Sequence, residues 1–229
     1  MDGANPRPAR LALIDAAERL IAEEGPAVSL RQVVTAAGQR NSAAIRYHFG
    51  TRERLIGAVV DARQSVFEPR RLEALAELEA EGGVTARGLI RALLEPVFEH
   101  QRAASPGHHA RFMEKIRDYP GVELVGRRDW TATRLITSRL TSETAPVPAS
   151  HRPTRIRGLI SVVFALLADL ERTEHPTPED REAAEQATLD MVLGVVHATS
   201  SSEHFERSAS TTPSGPSDAS VSSARLGGS

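Results

Sequence analysis

Apolar residues recur along this chain at three- and four-residue intervals, and no stretch alternates with the period of two that a half-buried strand requires. The pattern predicts an all-α protein. Leu13, Ala16, Ala17, Leu20 and Ile21 form one stripe, giving a helix over about residues 9–24 that Gly25-Pro26 ends. Leu30, Val33, Val34 and Ala37 form a shorter one, and Ile45 and Phe49 face a small core from a third helix. A helix opening at Thr51 runs past Val60 toward Phe67, where Pro69 either kinks it or ends it before a new helix begins at Arg71, and Gly82-Gly83 stops the segment. Further helices are predicted over about 85–102, with Pro96 inside, over 108–118 and over 122–141. Pro146, Pro148 and Pro153 mark a break. The segment 154–172 is apolar around most of its circumference, as a helix buried on several sides would be. The last helix covers about 178–199. Thr177 caps it, Pro178 suits its first position, and Glu179 and Asp180 suit its positive end. Residues 200–229 hold too few large apolar groups to fold and are expected to be disordered.

Residues 29–49 are the most specific part. Ser29 followed by Gln32 is a capping-box start, and Gly38 supplies a turn where a positive φ costs little only for glycine. Asn41 and Ser42 are suitable caps for the next helix. This is a helix-turn-helix pattern, whose second helix docks in the major groove of duplex DNA. With Ile45 and Phe49 turned inward, Arg40, Asn41, Ser42, Arg46 and Tyr47 face outward. Arginine pairs bidentately with guanine, asparagine with adenine, and hydroxyls suit phosphate oxygens. Thr51 and Arg52 open a helix that can direct N–H groups and a cation at phosphate.

These residues resemble the N-terminal domain of the tetracycline-repressor (TetR) family of transcriptional regulators. The resemblance runs from Arg10 to Ile56 and rests on RLALIDAAERLIAEEGPAVSLRQVVTAAG, on YHFG at 47–50 and on TRERL at 51–55. It implies that the helix before Tyr47-His48-Phe49 is the recognition helix and that Arg52 lies near the DNA backbone. The spacing from Gly38 to Tyr47 is one residue longer than the family's usual one, so any of Gln39, Arg40 and Asn41 could occupy the turn or touch a base. The candidate DNA-facing set is Ser29, Gln39, Arg40, Asn41, Ser42, Ala44, Arg46, Tyr47, His48, Thr51 and Arg52.

The resemblance also implies a two-part organisation. Residues 1–55 form a three-helix DNA-binding domain, and residues 56–199 form a helical ligand-binding and dimerisation domain. The last two helices would make a homodimer, so the partners are double-stranded operator DNA, a second copy and an unidentified small-molecule effector. Candidate pocket residues are Phe98, Phe112, Met113, Ile116, Trp130, Arg134, Phe164 and Leu167. Trp130 and Arg134, four apart, would share a helix face and hold an anionic or aromatic ligand.

Charge changes the picture only modestly. The net charge is −2, yet residues 1–54 hold eight arginines against six acids, and the rest of the chain is acidic. Of 28 basic residues only Lys115 is a lysine. There is no cysteine, which excludes disulfides and thiolate metal sites. The chain lacks an 18-residue apolar run and a secretory-type start, so a cytoplasmic protein without a membrane segment is expected. No nucleophile elbow, phosphate loop or His-Glu-x-x-His motif is present, and neither enzymatic activity nor a cofactor is expected. His100, His108 and His109 lie near Glu99 and Glu114, but their spacing does not set a full ligand group on one face, and no metal is expected. The competing reading is a helical small-molecule-binding or scaffold protein whose helix-turn-helix is structural.

Overall fold

The computed structural model describes residues 6–39, 43–104, 107–122, 129–143 and 152–198. Nine helices lie among them: α1 (Pro6–Glu24), α2 (Leu30–Ala36), α3 (Ala44–His48), α4 (Arg52–Ala80), α5 (Ala86–Ala103), α6 (His109–Ile116), α7 (Thr131–Glu143), α8 (Arg152–Arg172) and α9 (Pro178–Ala198). No strand occurs among the described residues, in line with the all-α expectation. The expected tail at 200–229 and the break at Pro146 and Pro148 lie outside them.

Local signals set most of the helix ends. Thr51, Thr85 and Thr177 each accept a hydrogen bond from the backbone three residues on, at Arg54, Gly88 and Asp180. Asp180 reciprocates by accepting from the Thr177 N–H at 3.2 Å. Pro69 neither ends nor divides α4, which runs unbroken for 29 residues. An internal proline costs a helix about 3 kcal/mol. Burial of Gln64, Phe67, Arg71 and Leu75 on either side of it offsets that, since one buried phenylalanine or leucine contributes about 1.5–3 kcal/mol. α7 begins later than the periodicity suggested, at Thr131, so Trp130 precedes the helix.

Two apolar cores share α4. The first gathers Leu13, Ile14, Ala17 and Ile21 of α1, Val33 and Val34 of α2, Ile45 and Phe49, and Leu55, Ile56, Val59 and Val60 of α4. Phe112, Met113 and Ile116 of α6 and Trp130 complete it. The second joins Phe67 and Leu75 of α4 to Leu89, Leu94 and Phe98 of α5, Ile136 of α7, Leu167 of α8 and Leu189 and Val192 of α9. The residue pair 55/56, where a domain boundary was expected, falls inside α4.

Buried polar joints fix the helices against one another. Glu18 of α1, 4% exposed, accepts from Arg63 Nε at 3.0 Å and lies 3.0 Å from His109 Nδ1. Burial alone would raise its pKa. The hydrogen bonds and charges of His109 and Arg63 outweigh that and hold it at about 2. Glu68 of α4 accepts from the Ala132 N–H at 2.8 Å and from the Thr133 hydroxyl, capping α7 from outside. The neighbouring Arg71 is buried and donates to Gln64 at 2.7 Å and to the Leu93 carbonyl at 3.0 Å. Glu171 of α8 caps α6 by accepting from the N–H groups of Ala110 and Arg111 at 3.3 and 3.0 Å. Gly107 permits this approach, because a Cβ there would lie 2.7 Å from Glu171 Oε1.

Candidate nucleic-acid interface

α2 starts with the predicted capping box. The Gln32 N–H donates to Ser29 Oγ at 3.2 Å, and the Ser29 N–H donates to Gln32 Oε1 at 2.9 Å. It ends on Gly38, with φ of +67°, where the Gly38 N–H reaches the Thr35 carbonyl and the Gln39 N–H reaches the Val34 carbonyl, each at 3.0 Å. This is a Schellman arrangement. It assigns Gln39 to the turn itself, and the Gln39 side-chain amide folds back on the Ala37 carbonyl at 3.5 Å. Arg40, Asn41 and Ser42 lie outside the described residues.

α3 opens at Ala44 with Ala43 at the cap position. Ile45 and Phe49 are buried, as their four-residue spacing predicted. Arg46 is exposed and Tyr47 is 80% exposed, while Ala44 and His48 are half-buried. Gly50, at φ of +79°, closes α3, and Thr51 starts α4 one residue later. Only Phe49, Gly50 and Thr51 thus separate α3 from α4.

At that N-terminus the residues divide their roles differently from the sequence pattern. Thr51 spends its hydroxyl on the Arg54 N–H at 3.2 Å. Arg52 turns inward, and its Nη1 donates to the carbonyls of Pro26 and Val28 at 2.9 and 2.6 Å. It clamps the loop between α1 and α2 to α4. The exposed cation here is Arg54.

The electrostatics of this face differ from those of the remaining surface. Arg63, Arg70, Arg71, Arg87, Arg102, Arg111, Arg117, Arg139, Arg172 and Arg181 each lie within ion-pair distance of a carboxylate. Arg10, Arg31, Arg46 and Arg54 of the helix-turn-helix unit have no carboxylate partner among the described residues, where only Arg19 of that unit is paired, to Glu23. Exposed guanidinium groups without internal counter-charges are the footprint of a polyanion surface. Elsewhere, Arg91, Arg134 and Arg157 stand scattered on three different helices.

The expected pocket residues do not converge on one cavity. Phe112, Met113, Ile116 and Trp130 pack with α1 and α4 in the first core, with Phe164 against it. Phe98 and Leu167 belong to the second. Trp130 is buried and Arg134 exposed, so the face they were expected to share is not formed; the Trp130 carbonyl instead accepts from the Arg134 N–H at 3.0 Å. Two open clefts, of about 360 and 410 Å³, lie beside α1 and α2, and none of the eight residues lines either. The histidines are engaged with protein groups: His109 with Glu18, His108 with Arg111 at 2.8 Å, and His100 edge-on to Phe67. No helix among the described residues is long and apolar enough to cross a membrane.

Residues 13–59 match the family described as bacterial regulatory proteins, tetR family. Among solved structures, the chain is similar to a candidate transcriptional regulator from Rhodococcus sp. RHA1, at 20% identity and a TM-score of 0.41, over 82% of this chain and 98% of that one. No curated protein matches.

Proposed function

We propose that this chain, a member of the tetR family of bacterial regulatory proteins through its residues 13–59, is a repressor that binds a palindromic operator as a homodimer and is released by a small-molecule effector. That it is a DNA-binding transcriptional regulator follows from the family. The observation that carries the reading furthest is the group of carboxylate-free arginines around α3. Arg46 and Tyr47 are presented outward by a helix whose other side is locked by Ile45 and Phe49. Such a helix has the form of a major-groove reader, with the flanking arginines on phosphate.

The homodimer is supported by uncovered apolar surface on α8 and α9. Leu159, Ile160, Val162, Val163, Phe164 and Leu166 are only half-buried, and Ile156 and Met191 are 45% and 47% exposed. Ala183, Ala187 and Gly194 are exposed on α9 beside Met191, and small side chains of this kind allow two helices to approach closely. Two-fold pairing of this face would set two α3 helices on half-sites about one helical turn apart, or a multiple of it. Effector release requires that the effector and the operator favour different arrangements of the pair, and each must then weaken the other's binding by the same factor.

Selection of bound sequences from a random duplex pool tests the whole reading. An inverted repeat of fixed spacing is the expected product. Recovery of no sequence preference, together with no salt-dependent binding to any duplex, would leave a helical binding or scaffold protein with a structural helix-turn-helix. A thermal-shift screen of small molecules then finds the effector, which raises the melting temperature by mass action.

A further inference from the structure

Two arginines close on the turn that ends α3. Arg10, near the N-terminus of α1, sets its Cζ 5.3 Å from the centroid of the Phe49 ring. Arg54, in the first turn of α4, brings Nη1 to 3.7 Å from the point where Gly50 would carry a Cβ. Phe49 and Gly50 are consecutive, so two cations from separate helices flank one turn. Both side chains are exposed, and neither meets a carboxylate among the described residues. Glu53, the acid nearest in sequence, directs its carboxylate at its own N–H and the Thr51 hydroxyl, which with Arg52 lower its pKa.

Arg10 is also tied to the reading helix. Its ring partner Phe49 lies 6.1 Å from the His48 ring, and His48 lies edge-on to Tyr47 at 4.9 Å. A run of rings thus leads from the outward-facing Tyr47 to the cation. A guanidinium laid on an aromatic face is preorganised, so less freedom is lost when it takes a phosphate. Its planar N–H fork remains available at the edge for bidentate contact with phosphate oxygens.

We propose that Arg10 and Arg54 form a two-point phosphate clamp, each holding one backbone phosphate beside the groove that α3 enters. The clamp rests on the reading of α3 as a DNA-binding helix. It fixes how deep and at what angle α3 sits, and it reads no base. Its ligand is the sugar-phosphate backbone of duplex DNA, so it contributes equally on any sequence.

The test uses the full chain and a random-sequence duplex several helical turns long, with affinity measured across a salt series. R10A and R54A should each lower the slope of log affinity against log salt by about one for each subunit on the duplex. The double variant should lower it by about two. R10K and R54K keep the charge without the stacked fork and should retain the wild-type slope. Thermal melting run in parallel separates packing from contact. If R10A or R54A lowers the melting temperature or the affinity with the salt slope unchanged, that arginine serves packing only and the clamp is overturned. Wild-type protein that shows no salt-dependent binding would remove the DNA reading itself. Wild-type binding with unaltered variant slopes removes the clamp alone.

Discussion

Glu18→Gln should weaken the fold by an amount that depends on pH in a calculable way. The wild-type carboxylate sits between Arg63 and His109, almost wholly buried, and its pKa is lowered from 4.5 to about 2. At about 1.4 kcal/mol for each tenfold change in proton affinity, that displacement corresponds to about 3 kcal/mol of folding stability. The folded-state pKa lies below the unfolded one, so this contribution is complete above about pH 4.5 and lost as pH falls toward 2. Roughly 2 kcal/mol of it should already be gone at pH 3. Glutamine keeps the shape and cannot titrate. It also leaves Arg63 with only Asp15, 3.1 Å away, as a carboxylate partner. Urea unfolding of wild type and E18Q at pH 7, 5, 4 and 3 measures the difference directly. The wild-type advantage should be about 3 kcal/mol at neutral pH and shrink by about two-thirds by pH 3. Two stability curves that run parallel from pH 5 to pH 3 would refute the assignment of a depressed pKa to Glu18.

Other perturbations probe the remaining parts. Arg46→Ala should cost roughly 1–3 kcal/mol of operator affinity and relax the preference at one base position, read by repeating the duplex selection with the variant; unchanged affinity and preference would show that Arg46 touches no base. Gly107→Ala should destabilise by about 1–3 kcal/mol, because its Cβ would fall within 2.7 Å of Glu171 Oε1 and 3.2 Å of the Ala104 carbonyl, and a melting temperature equal to wild type would mean that Glu171 caps α6 loosely. Ala187→Glu places a charge on the exposed face of α9 and should convert a homodimer to monomers in sedimentation, with little change in helix content; a persistent dimer would move the interface off this face.

Legibility in the sequence followed the range of the interaction. The capping box of Ser29 and Gln32, the turn at Gly38 and the start at Thr177 depend on residues within a few positions, and each formed as its local pattern predicted. The extra residue in the helix-turn-helix was legible as a count but not as a conformation. A Schellman end places Gln39 in the turn because two backbone bonds, not the side chain, decide it. The inward bonds of Arg52 were not legible for a different reason. A cation at a helix start suits phosphate, but two carbonyls in a loop 24 and 26 residues earlier compete for it, and nothing in the local pattern reveals them. The same limit separated the candidate pocket residues. Periodicity identifies which side of α6 is apolar, yet it does not reveal that Phe112, Met113 and Ile116 pack into the core built on α1 and α4, with Phe164 of α8 against it.

Lys115 gives this chain an unusual chemical address. It is the sole lysine, it is exposed, and it lies within α6, the short helix wedged between α1 and α8. A lysine-specific protease therefore has one place to cut, and an intact helix does not fit a protease cleft. Cleavage must wait for α6 to open locally, so its rate under dilute protease reports the free energy of that opening. The same measurement repeated with duplex DNA present reads, in one band on a gel, how firmly a ligand at one end of the molecule holds a helix near its middle.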